Sequence, residues 1–368
     1  MLKDKNDKVG TGSGNADRAG ATGRFEPRRP DKQRYLDAVR HIRQDELCFF
    51  EFEMDFIPVK DILGHDIDPV PSFLLPIKDY VELIEKTGMD MAYVQLPWKL
   101  GRNKYVDEKG RTLYTEGTIS EFGDLKKIRY PSMDGIKKRI EEVLEGIKDT
   151  KAGVIYGLEL NSILVYKAMR YEDYYTYMVE NPEFIKEFQK RLEEYTLKQA
   201  ETVFEYPVDA IRLDSNLCMN SGPIVSRAFM EEFEFPCIRK FIDLIHKNGR
   251  IVEMHTDGYF ESLIPDFIAM GVDVLNPIDS CAGVQDIYKI KQQCKDRIAL
   301  HGNIDVGGVL AFGSAEDVKK DTIEHIERLG VSGGYIVGSS HDIHENIPAA
   351  NFLAMAEAAH NTKNKILK

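Results

Sequence analysis

The stretch GRIVEMHTDGYFESLIPDFIAMGVDVLNP (residues 249–277) contains two apolar segments, RIVEMH (250–255) and VDVLN (272–276), that each run into polar residues. Both segments have the length of buried strands, and a helical pattern separates them. Alternation of strand and helix is typical of α/β proteins with a parallel sheet. The same pattern extends to both sides of this stretch.

Eight such segments occur along the chain, and helical patterns lie between them, for example over 173–206, 229–249 and 315–330. The eight are FFEFEMDF (49–56), MAYVQL (91–96), GVIYGLEL (153–160), DAIRLD (209–214), RIVEMH (250–255), VDVLN (272–276), RIALHG (297–302) and GGYIVG (333–338). Eight strands that alternate with helices predict a closed (β/α)8 TIM barrel. A doubly wound open sheet is the alternative, but it usually has fewer strands, and no GxGxxG motif follows the first strand.

The sequence predicts a single domain over residues 31–368 that follows a disordered tail. Residues 1–30 are rich in Gly, Asp, Lys and Arg and lack hydrophobic periodicity. Between the second and third strands, residues 97–152 include a polar hairpin followed by a loop, WKLGRNKYVDEKGRTLYTEGTISEFGDL (98–125). We interpret this segment as an insertion after strand 2. We expect residues 99–128 to form a mobile lid over the barrel mouth.

Composition excludes several classes of protein. Hydrophobic residues make up 43% of the 368 residues, and the net charge of −12 argues against nucleic acid as a partner. No apolar run approaches the ~20 residues that a membrane span needs, and the N-terminus lacks the apolar region of a secretory signal. The five cysteines (Cys48, Cys218, Cys237, Cys281 and Cys294) form no CxxC pair, which excludes a zinc module built from such pairs. These features predict a cytoplasmic protein.

The candidate site consists of polar side chains at the carboxyl ends of the strands, where TIM-barrel enzymes place their catalytic residues. In the first strand, Glu51, Glu53 and Asp55 alternate with aromatic residues, so we expect the three acids to share a face and to point at the mouth. Later strand ends add Glu159, Asn161, Asp214, Asn216, Glu253, His255, Asp257, Asn276, Asn303, Asp305, Ser339, Ser340 and His341. Such a cluster could bind a metal or handle protons. For any single acid, pairing with lysine or arginine is the alternative.

From these candidates we assign three groups of residues. His255 and Asp257 are predicted to bind a metal, Zn, with further carboxylates drawn from Glu53, Glu159 and Asp214. The catalytic candidates are Glu53, Glu159, Asp214 and His341, and the cofactor-binding candidates are Asn303, Asp305, Ser339 and Ser340. His246, His325 and His360 lie in helical segments and are expected to be surface or packing residues.

The second half of the chain resembles the uroporphyrinogen decarboxylase superfamily. The resemblance is carried by residues 226–279, 296–318 and 333–359, which contain a strand ending in HTDG, then GVDVLNP, then HGNID, then a glycine-rich last strand ending in SHDI. These stretches cover roughly a third of the chain. The resemblance implies a TIM barrel and one of two activities, which are decarboxylation of a porphyrinogen and cobamide-dependent methyl transfer.

Two departures from the family patterns bear on the choice between these activities. True uroporphyrinogen decarboxylases carry a segment of the form MRQAGR, and QRYLDAVRHIRQDELCFFEFEMDF (33–56) stands in its place here, with acids that would repel a polycarboxylate. Thiol-specific methyltransferases of the superfamily bind zinc through H-x-C and a later cysteine. This chain has His255-Thr256-Asp257 and, near the later position, Ser339 or Ser340. It therefore resembles the ether-cleaving methyltransferases of anaerobes, which bind zinc through carboxylate and His ligands.

The resemblance thus implies transfer of a methyl group between a small-molecule methyl donor and a corrinoid supplied by a partner protein. The first expectation for the donor is a methoxylated aromatic, so that the reaction is an O-demethylation. Phe50, Phe52, Phe56, Tyr93 and Trp98 would suit an aryl substrate, or they fill the core. A carboxy-lyase of the uroporphyrinogen decarboxylase type and a non-catalytic ligand-binding barrel are the alternatives. Bound zinc would favour the methyltransferase, because the decarboxylases need no cofactor.

Overall fold

In this computed structural model, eight parallel strands form one sheet, and the structure describes residues 25–96, 98, 102–110, 112–279 and 285–363. The strands are β1 (Cys48–Phe49), β2 (Met91–Val94), β3 (Gly153–Glu159), β4 (Ala210–Asp214), β5 (Ile251–His255), β6 (Val274–Asn276), β7 (Ala299–His301) and β8 (Tyr335–Val337). Their order in the sheet is β1-β8-β7-β6-β5-β4-β3-β2, and every hydrogen-bonded pair is parallel. Each of the eight predicted segments contributes one strand, so the prediction of an α/β fold with eight parallel strands is confirmed.

The two edge strands of this sheet, β1 and β2, are linked by Asp90. Its backbone N–H donates to the carbonyl oxygen of Phe49 over 2.9 Å, and its Oδ2 accepts the N–H of Phe49 over 3.1 Å. The sheet is therefore curled until its edges meet, an arrangement consistent with a TIM barrel.

Helices connect successive strands. The α-helices of the described residues are α1 (Gln33–Val39), α2 (Phe56–Leu63), α3 (Ile77–Thr87), α4 (Met133–Gly146), α5 (Asn161–Ala168), α6 (Tyr171–Glu180), α7 (Pro182–Phe204), α8 (Arg227–Phe229), α9 (Phe235–Lys247), α10 (Ile264–Met270), α11 (Ile287–Cys294), α12 (Val309–Phe312), α13 (Ala315–Leu329) and α14 (Ala349–Asn361). The helical pattern over 173–206 divides into α6 and α7 because Pro182 lacks an amide hydrogen and starts a new helix. None of these helices combines the length and apolarity that a membrane span requires.

The first strand is shorter than the sequence predicts. The pattern over 49–56 indicates a strand, but β1 ends at Phe49 and α2 begins at Phe56. Asp55 caps α2, because its Oδ1 accepts the N–H of Ile57 over 2.9 Å. Asp55 is thus the N-cap of α2, a position that aspartate favours. The prediction that Glu51, Glu53 and Asp55 alternate along one strand is therefore wrong.

An antiparallel hairpin, Arg102–Val106 with Thr112–Gly117, lies in the chain between β2 and β3. A 3₁₀ turn, Phe122–Lys127, follows it. Residues 99–101 and 111 of the predicted lid, residues 1–24 of the predicted tail and Cys281 lie outside the described residues. The other four cysteines are buried free thiols.

Replacement of Asp90 by alanine is expected to destabilise the fold strongly. Asp90 is fully buried, and its Oδ1 accepts from Arg34 Nη1 over 2.6 Å and from the N–H of Asp31 over 2.9 Å. Removing the carboxylate would leave the N–H groups of Phe49 and Asp31 without partners and would leave Arg34 with only its weaker contacts to Glu46 and the Arg29 carbonyl oxygen, so the free energy of unfolding should fall by about 3–5 kcal/mol. Urea denaturation followed by circular dichroism measures this change.

The matched control is Asp149→Ala, at an exposed aspartate, which should change the stability by less than about 0.5 kcal/mol. Equal denaturation midpoints for the two variants would show that Asp90 does not hold the sheet edges together.

Candidate active site

Three side chains converge at one end of the sheet. His255 is the last residue of β5, Asp257 lies two residues later, and His341 follows β8. Asp257 Oδ1 lies 3.4 Å from His255 Nε2 and 3.3 Å from His341 Nε2. One ligand atom from each residue lies within 4.8 Å of the other two. We call these three residues the His–Asp–His cluster.

The central oxygen of this cluster lacks a hydrogen bond. Asp257 Oδ1 is buried, and neither neighbouring imidazole is aligned well enough to donate to it. Burial alone would raise the pKa of this carboxyl group, but the two imidazoles outweigh burial and hold the pKa of Asp257 well below its ordinary value. Next to the same carboxylate, the pKa of His341 rises to about 9. A buried carboxylate oxygen without a partner is costly unless something else satisfies it.

The two imidazoles of the cluster are held differently. Asn276, the last residue of β6, lies opposite His255 in the sheet, and its Oδ1 is 2.8 Å from His255 Nδ1. The amide oxygen can only accept, so Nδ1 donates, and in the neutral ring Nε2 presents its lone pair toward Asp257. In His341, Nδ1 accepts the N–H of Asp342 over 2.7 Å, so a neutral ring carries its proton on Nε2. His255 is therefore ready to bind a cation, whereas His341 must give up that hydrogen bond to do so.

This donor set fits a divalent cation such as zinc. Two imidazole nitrogens and one carboxylate oxygen match the ligand types that zinc takes, and catalytic zinc sites use three protein ligands and leave one position open. The unsatisfied Asp257 Oδ1 is the structural feature that such an ion would explain.

Two other predicted carboxylates are paired with cations. Glu159 forms an ion pair with Lys167, and Asp214 Oδ1 lies 2.6 Å from Arg212 Nε. Gln95 Nε2 also donates to Asp214 Oδ2 over 3.2 Å. The structure therefore does not bring Glu159 and Asp214 into the His–Asp–His cluster. Both acids therefore follow the alternative given above for any single acid, which is an ion pair with lysine or arginine.

Arg212 and Lys167 were missed by the sequence reasoning. The guanidinium carbon of Arg212 lies 4.3 Å from the centre of the Phe52 ring, and burial alone would lower the pKa of this arginine. The Asp214 carboxylate outweighs burial and raises that pKa. A signal was present in the strand AIRLD, because an arginine two residues before an aspartate shares its face of the sheet.

Glu53 lines a cavity of about 660 Å³ together with Asp342. Burial, reinforced by the Asp342 carboxylate, raises the pKa of Glu53 to about 8. The rest of the lining is largely apolar and includes Phe56, Val70, Phe73, Leu74, Leu113 and Ile343. Leu113 belongs to the hairpin between β2 and β3, as do the lining residues Lys104 and Gly110. The volume is in the range of small-molecule sites.

A buried charged group lies inside the sheet. His301 Nδ1 is 2.7 Å from Glu253 Oε1, its Nε2 is 3.0 Å from the Phe50 carbonyl oxygen, and the Tyr35 hydroxyl donates to Glu253 Oε2 over 2.8 Å. Burial would lower the pKa of His301, but Glu253 outweighs burial and raises it. With acceptors at both ring nitrogens, His301 is a buried imidazolium. Glu253 therefore takes part in this interior ion pair and not in the candidate site at the mouth.

The four cofactor-binding candidates contact other groups of the chain. Ser339 donates through N–H and Oγ to Glu51, over 2.7 and 2.6 Å, and Ser340 Oγ accepts the N–H of Val306 over 3.1 Å. Asn303 Oδ1 is 3.1 Å from His325 Nε2, and Asp305 Oδ1 accepts the N–H of Gly307 over 2.9 Å. Their role in cofactor binding stays a prediction.

The chain matches known proteins at the level of family and of fold. The model of the uroporphyrinogen decarboxylase (URO-D) family matches residues 84–362. No curated protein matches the chain. Among solved structures, a methyltransferase from Methanosarcina mazei superimposes with a TM-score of 0.68 at 17% identity, over 89% of this chain and 97% of that chain. An endo-1,4-β-mannanase from Rhizomucor miehei superimposes with a TM-score of 0.44 at 12% identity, over 86% of this chain and 96% of that chain.

The similarity to the methyltransferase shows a shared fold. The family model spans well over half of the chain and includes β2 to β8, among them β5 and β8, whose carboxyl ends carry the His–Asp–His cluster. The protein belongs to the uroporphyrinogen decarboxylase (URO-D) family.

Proposed function

We propose that this protein is a cytoplasmic methyltransferase that binds zinc through the His–Asp–His cluster. It moves a methyl group between a small methylated substrate and a corrinoid carried by a partner protein. The observation that carries the proposal is Asp257 Oδ1, a buried oxygen without a hydrogen bond between two imidazole nitrogens. Membership of the URO-D family and the fold shared with a methyltransferase support it. The first candidate donor is a methoxylated aromatic, which makes the reaction an O-demethylation.

The residues of the cluster have distinct roles in this proposal. When bound, zinc supplies a Lewis acid that polarises the ether oxygen of the donor. His255 offers Nε2 because Asn276 holds its Nδ1, and Asp257 supplies the negative charge.

Glu53 supplies a proton in this scheme. Its raised pKa keeps the carboxyl group protonated at neutral pH, so Glu53 can donate that proton to the oxygen that leaves.

A polycarboxylate substrate fits this mouth poorly. Arg212 and Lys167, the cations closest to the predicted site residues, are held by Asp214 and Glu159. Asp342 adds negative charge along the cavity, and Glu53, although protonated, offers no positive charge. Binding several substrate carboxylates there would be electrostatically costly, and this disfavours the decarboxylase alternative.

We further propose that the curled sheet is a closed barrel and that residues 97–152 are an insertion whose hairpin covers the mouth. Support comes from Lys104, Gly110 and Leu113, which line the cavity beside Glu53, and from the ion pair between Lys109 and Glu345. Residues from this hairpin and from the segment after β8 thus enclose the same space.

The proposed lid predicts protection by ligand. Trypsin should cut the hairpin at the exposed Lys104 or Lys109 in the free protein, and a saturating methoxylated aromatic should slow that cut several-fold, because closure removes the hairpin from the protease. Mass spectrometry of timed digests measures it. Unchanged cleavage at these lysines in the presence of a ligand shown to bind would contradict a closing lid.

The proposed metal centre predicts stoichiometric zinc in the purified protein. His255→Ala should lose the metal, and Asn276→Ala should bind zinc roughly 10–100-fold more weakly, because the imidazole is no longer oriented. Competition with a chromophoric chelator measures both affinities. Asn346→Ala, at an exposed asparagine, is the matched control and should bind zinc like the wild type. Equal zinc in the wild type and His255→Ala would refute the assignment.

The proposed reaction is tested by mixing the protein with a reduced corrinoid carrier and methoxylated aromatics and following corrinoid methylation by absorbance. Glu53→Gln should lower the rate by about 10²–10⁴-fold, because an amide cannot deliver the proton, while its zinc content stays unchanged. Turnover of a porphyrinogen together with no methylation from any donor would overturn the proposal in favour of the decarboxylase.

The pH profile tests the role of Glu53 separately. A proton donor is active in its protonated form, so the rate should be sustained below the Glu53 pKa of about 8 and fall as the pH rises through it. The Asp342, Arg212, Lys167 and His341 charges all act on this carboxyl group. In Glu53→Gln the residual rate should lack this decline. A wild-type rate that stays constant from pH 7 to about pH 10 would exclude Glu53 as the acid.

A further inference from the structure

A second group of metal-ligating side chains lies at the surface, outside the candidate active site, where the end of α2 meets α3. His65 follows Gly64, the residue that ends α2, and Asp79 and Glu82 lie three residues apart on α3. His65 Nε2 is 3.9 Å from Asp79 Oδ1 and 3.5 Å from Glu82 Oε2. One ligand atom from each of the three residues lies within 4.8 Å of the other two. We call these three residues the surface triad.

The spacing of the surface triad suits a tetrahedral metal ion. Residues three apart share a face of a helix, so Asp79 and Glu82 both reach His65. Metal–ligand bonds of about 2.0–2.1 Å place neighbouring ligand atoms roughly 3.3 Å apart in tetrahedral geometry. The two measured separations exceed that value by less than about 1 Å, which small side-chain rotations can remove. The triad therefore supplies the nitrogen and the two oxygens of a zinc site with one open position.

The histidine of the triad is oriented for this role. His65 Nδ1 lies 3.1 Å from the carbonyl oxygen of Asp66, which can only accept, so Nδ1 donates. In the neutral ring, Nε2 then presents its lone pair to both carboxylates. Metal-bound imidazoles commonly donate their other N–H to a carbonyl oxygen in this way. The Asp66 contact and the two carboxylates raise the pKa of His65, so an ion has to displace a proton from Nε2 near neutral pH.

The charges around the triad favour a cation but limit its affinity. Lys86 Nζ lies 3.1 Å from Glu82 Oε1, which leaves Glu82 Oε2 facing His65. A neighbouring ion pair, Lys60 with Asp66, adds no net charge. With the ring neutral, two carboxylates and one lysine leave one net negative charge at the triad. The side chains of the triad are 20–41% exposed, so solvent screens that charge.

We propose that the surface triad is a second binding site for zinc, weaker than the proposed centre at the mouth and independent of it. Its ligands lie on both sides of residues 66–76 along the chain. Five residues of this segment line the cavity beside Glu53, and these are Pro69, Val70, Pro71, Phe73 and Leu74. An ion that joins His65 to α3 closes a loop around the segment and reduces its conformational freedom. The surface zinc thus stabilises one wall of the cavity.

Zinc titration of the full-length protein tests the proposal. After removal of metal with a chelator, isothermal titration calorimetry at about pH 8 should show two sites in the wild type, the second at least about 10-fold weaker than the first. His65→Ala should lose the weaker site, and Asp79→Asn should weaken it at least about 10-fold further. His255→Ala should retain only the weaker site. Because dialysis removes the weakly bound ion, the purified wild type keeps zinc only at the His–Asp–His cluster.

Hydrogen–deuterium exchange measures the effect on the cavity wall. In His255→Ala, added zinc should slow the exchange of residues 66–76 several-fold. In the variant that also carries His65→Ala, zinc should have no effect on this segment. Equal exchange with and without zinc in His255→Ala would show that the triad does not stabilise the wall.

His246→Ala is the matched control, because His246 is an exposed histidine that pairs with a single carboxylate, Asp273, over 2.9 Å. It should bind two ions like the wild type. The inference would be overturned by a wild type without a weaker site, by a weaker site that survives His65→Ala, or by its equal loss in His246→Ala. Two sites in His255→Ala, one of which disappears with His65, would support the inference and count against the proposed zinc centre at the mouth.

Discussion

A single carboxylate without solvent exposure joins the two edges of the sheet, and the site depends on that junction. Asp90 receives the N–H of Phe49 and of Asp31 and the guanidinium of Arg34, and its own carbonyl oxygen accepts the N–H of Gly153. These bonds fix α1, β1, β2 and the start of β3 relative to one another. Because Glu51 and Glu53 follow β1 directly, the same junction sets where the acids of the mouth lie. A neutral side chain could not satisfy so many donors in a buried position.

Charges within the sheet are paired in its interior and become unbalanced toward the mouth. Glu253 and His301 form a buried ion pair, and Arg212 neutralises Asp214 nearer the strand ends. At the mouth, Asp257 and Asp342 lie next to imidazoles and have no lysine or arginine partner in the part of the chain that the structure describes. A buried carboxylate oxygen without a hydrogen bond is costly, so Asp257 Oδ1 marks where a cation is expected to bind. The proposed zinc would satisfy this oxygen.

The sequence predicts the sheet better than it predicts the site. Strands buried on both faces read as continuous apolar runs, so all eight were recognisable. The length of β1 was overestimated because Glu51, Glu53 and Asp55 alternate with aromatic residues, a pattern that a helix cap at Asp55 also produces. His255, Asp257 and His341 could be nominated because each lies at or after the carboxyl end of a strand. The pairing of Glu159 with Lys167 could not be foreseen, since Lys167 lies on α5 and its approach depends on how that helix packs.

The third ligand of the proposed centre shows how the site departs from a thiolate centre. The sequence places Ser339 or Ser340 near the position where related thiol methyltransferases have a cysteine. The Ser339 hydroxyl donates to Glu51, and the Ser340 hydroxyl accepts the N–H of Val306, so both hydroxyls form hydrogen bonds within the chain. The group that reaches Asp257 is instead the imidazole of His341. Two imidazoles and a carboxylate donate less charge to a metal than thiolates do, so the ion would remain a stronger Lewis acid. Such an ion suits a donor whose leaving atom is oxygen, because that oxygen needs activation, whereas a thiol needs deprotonation.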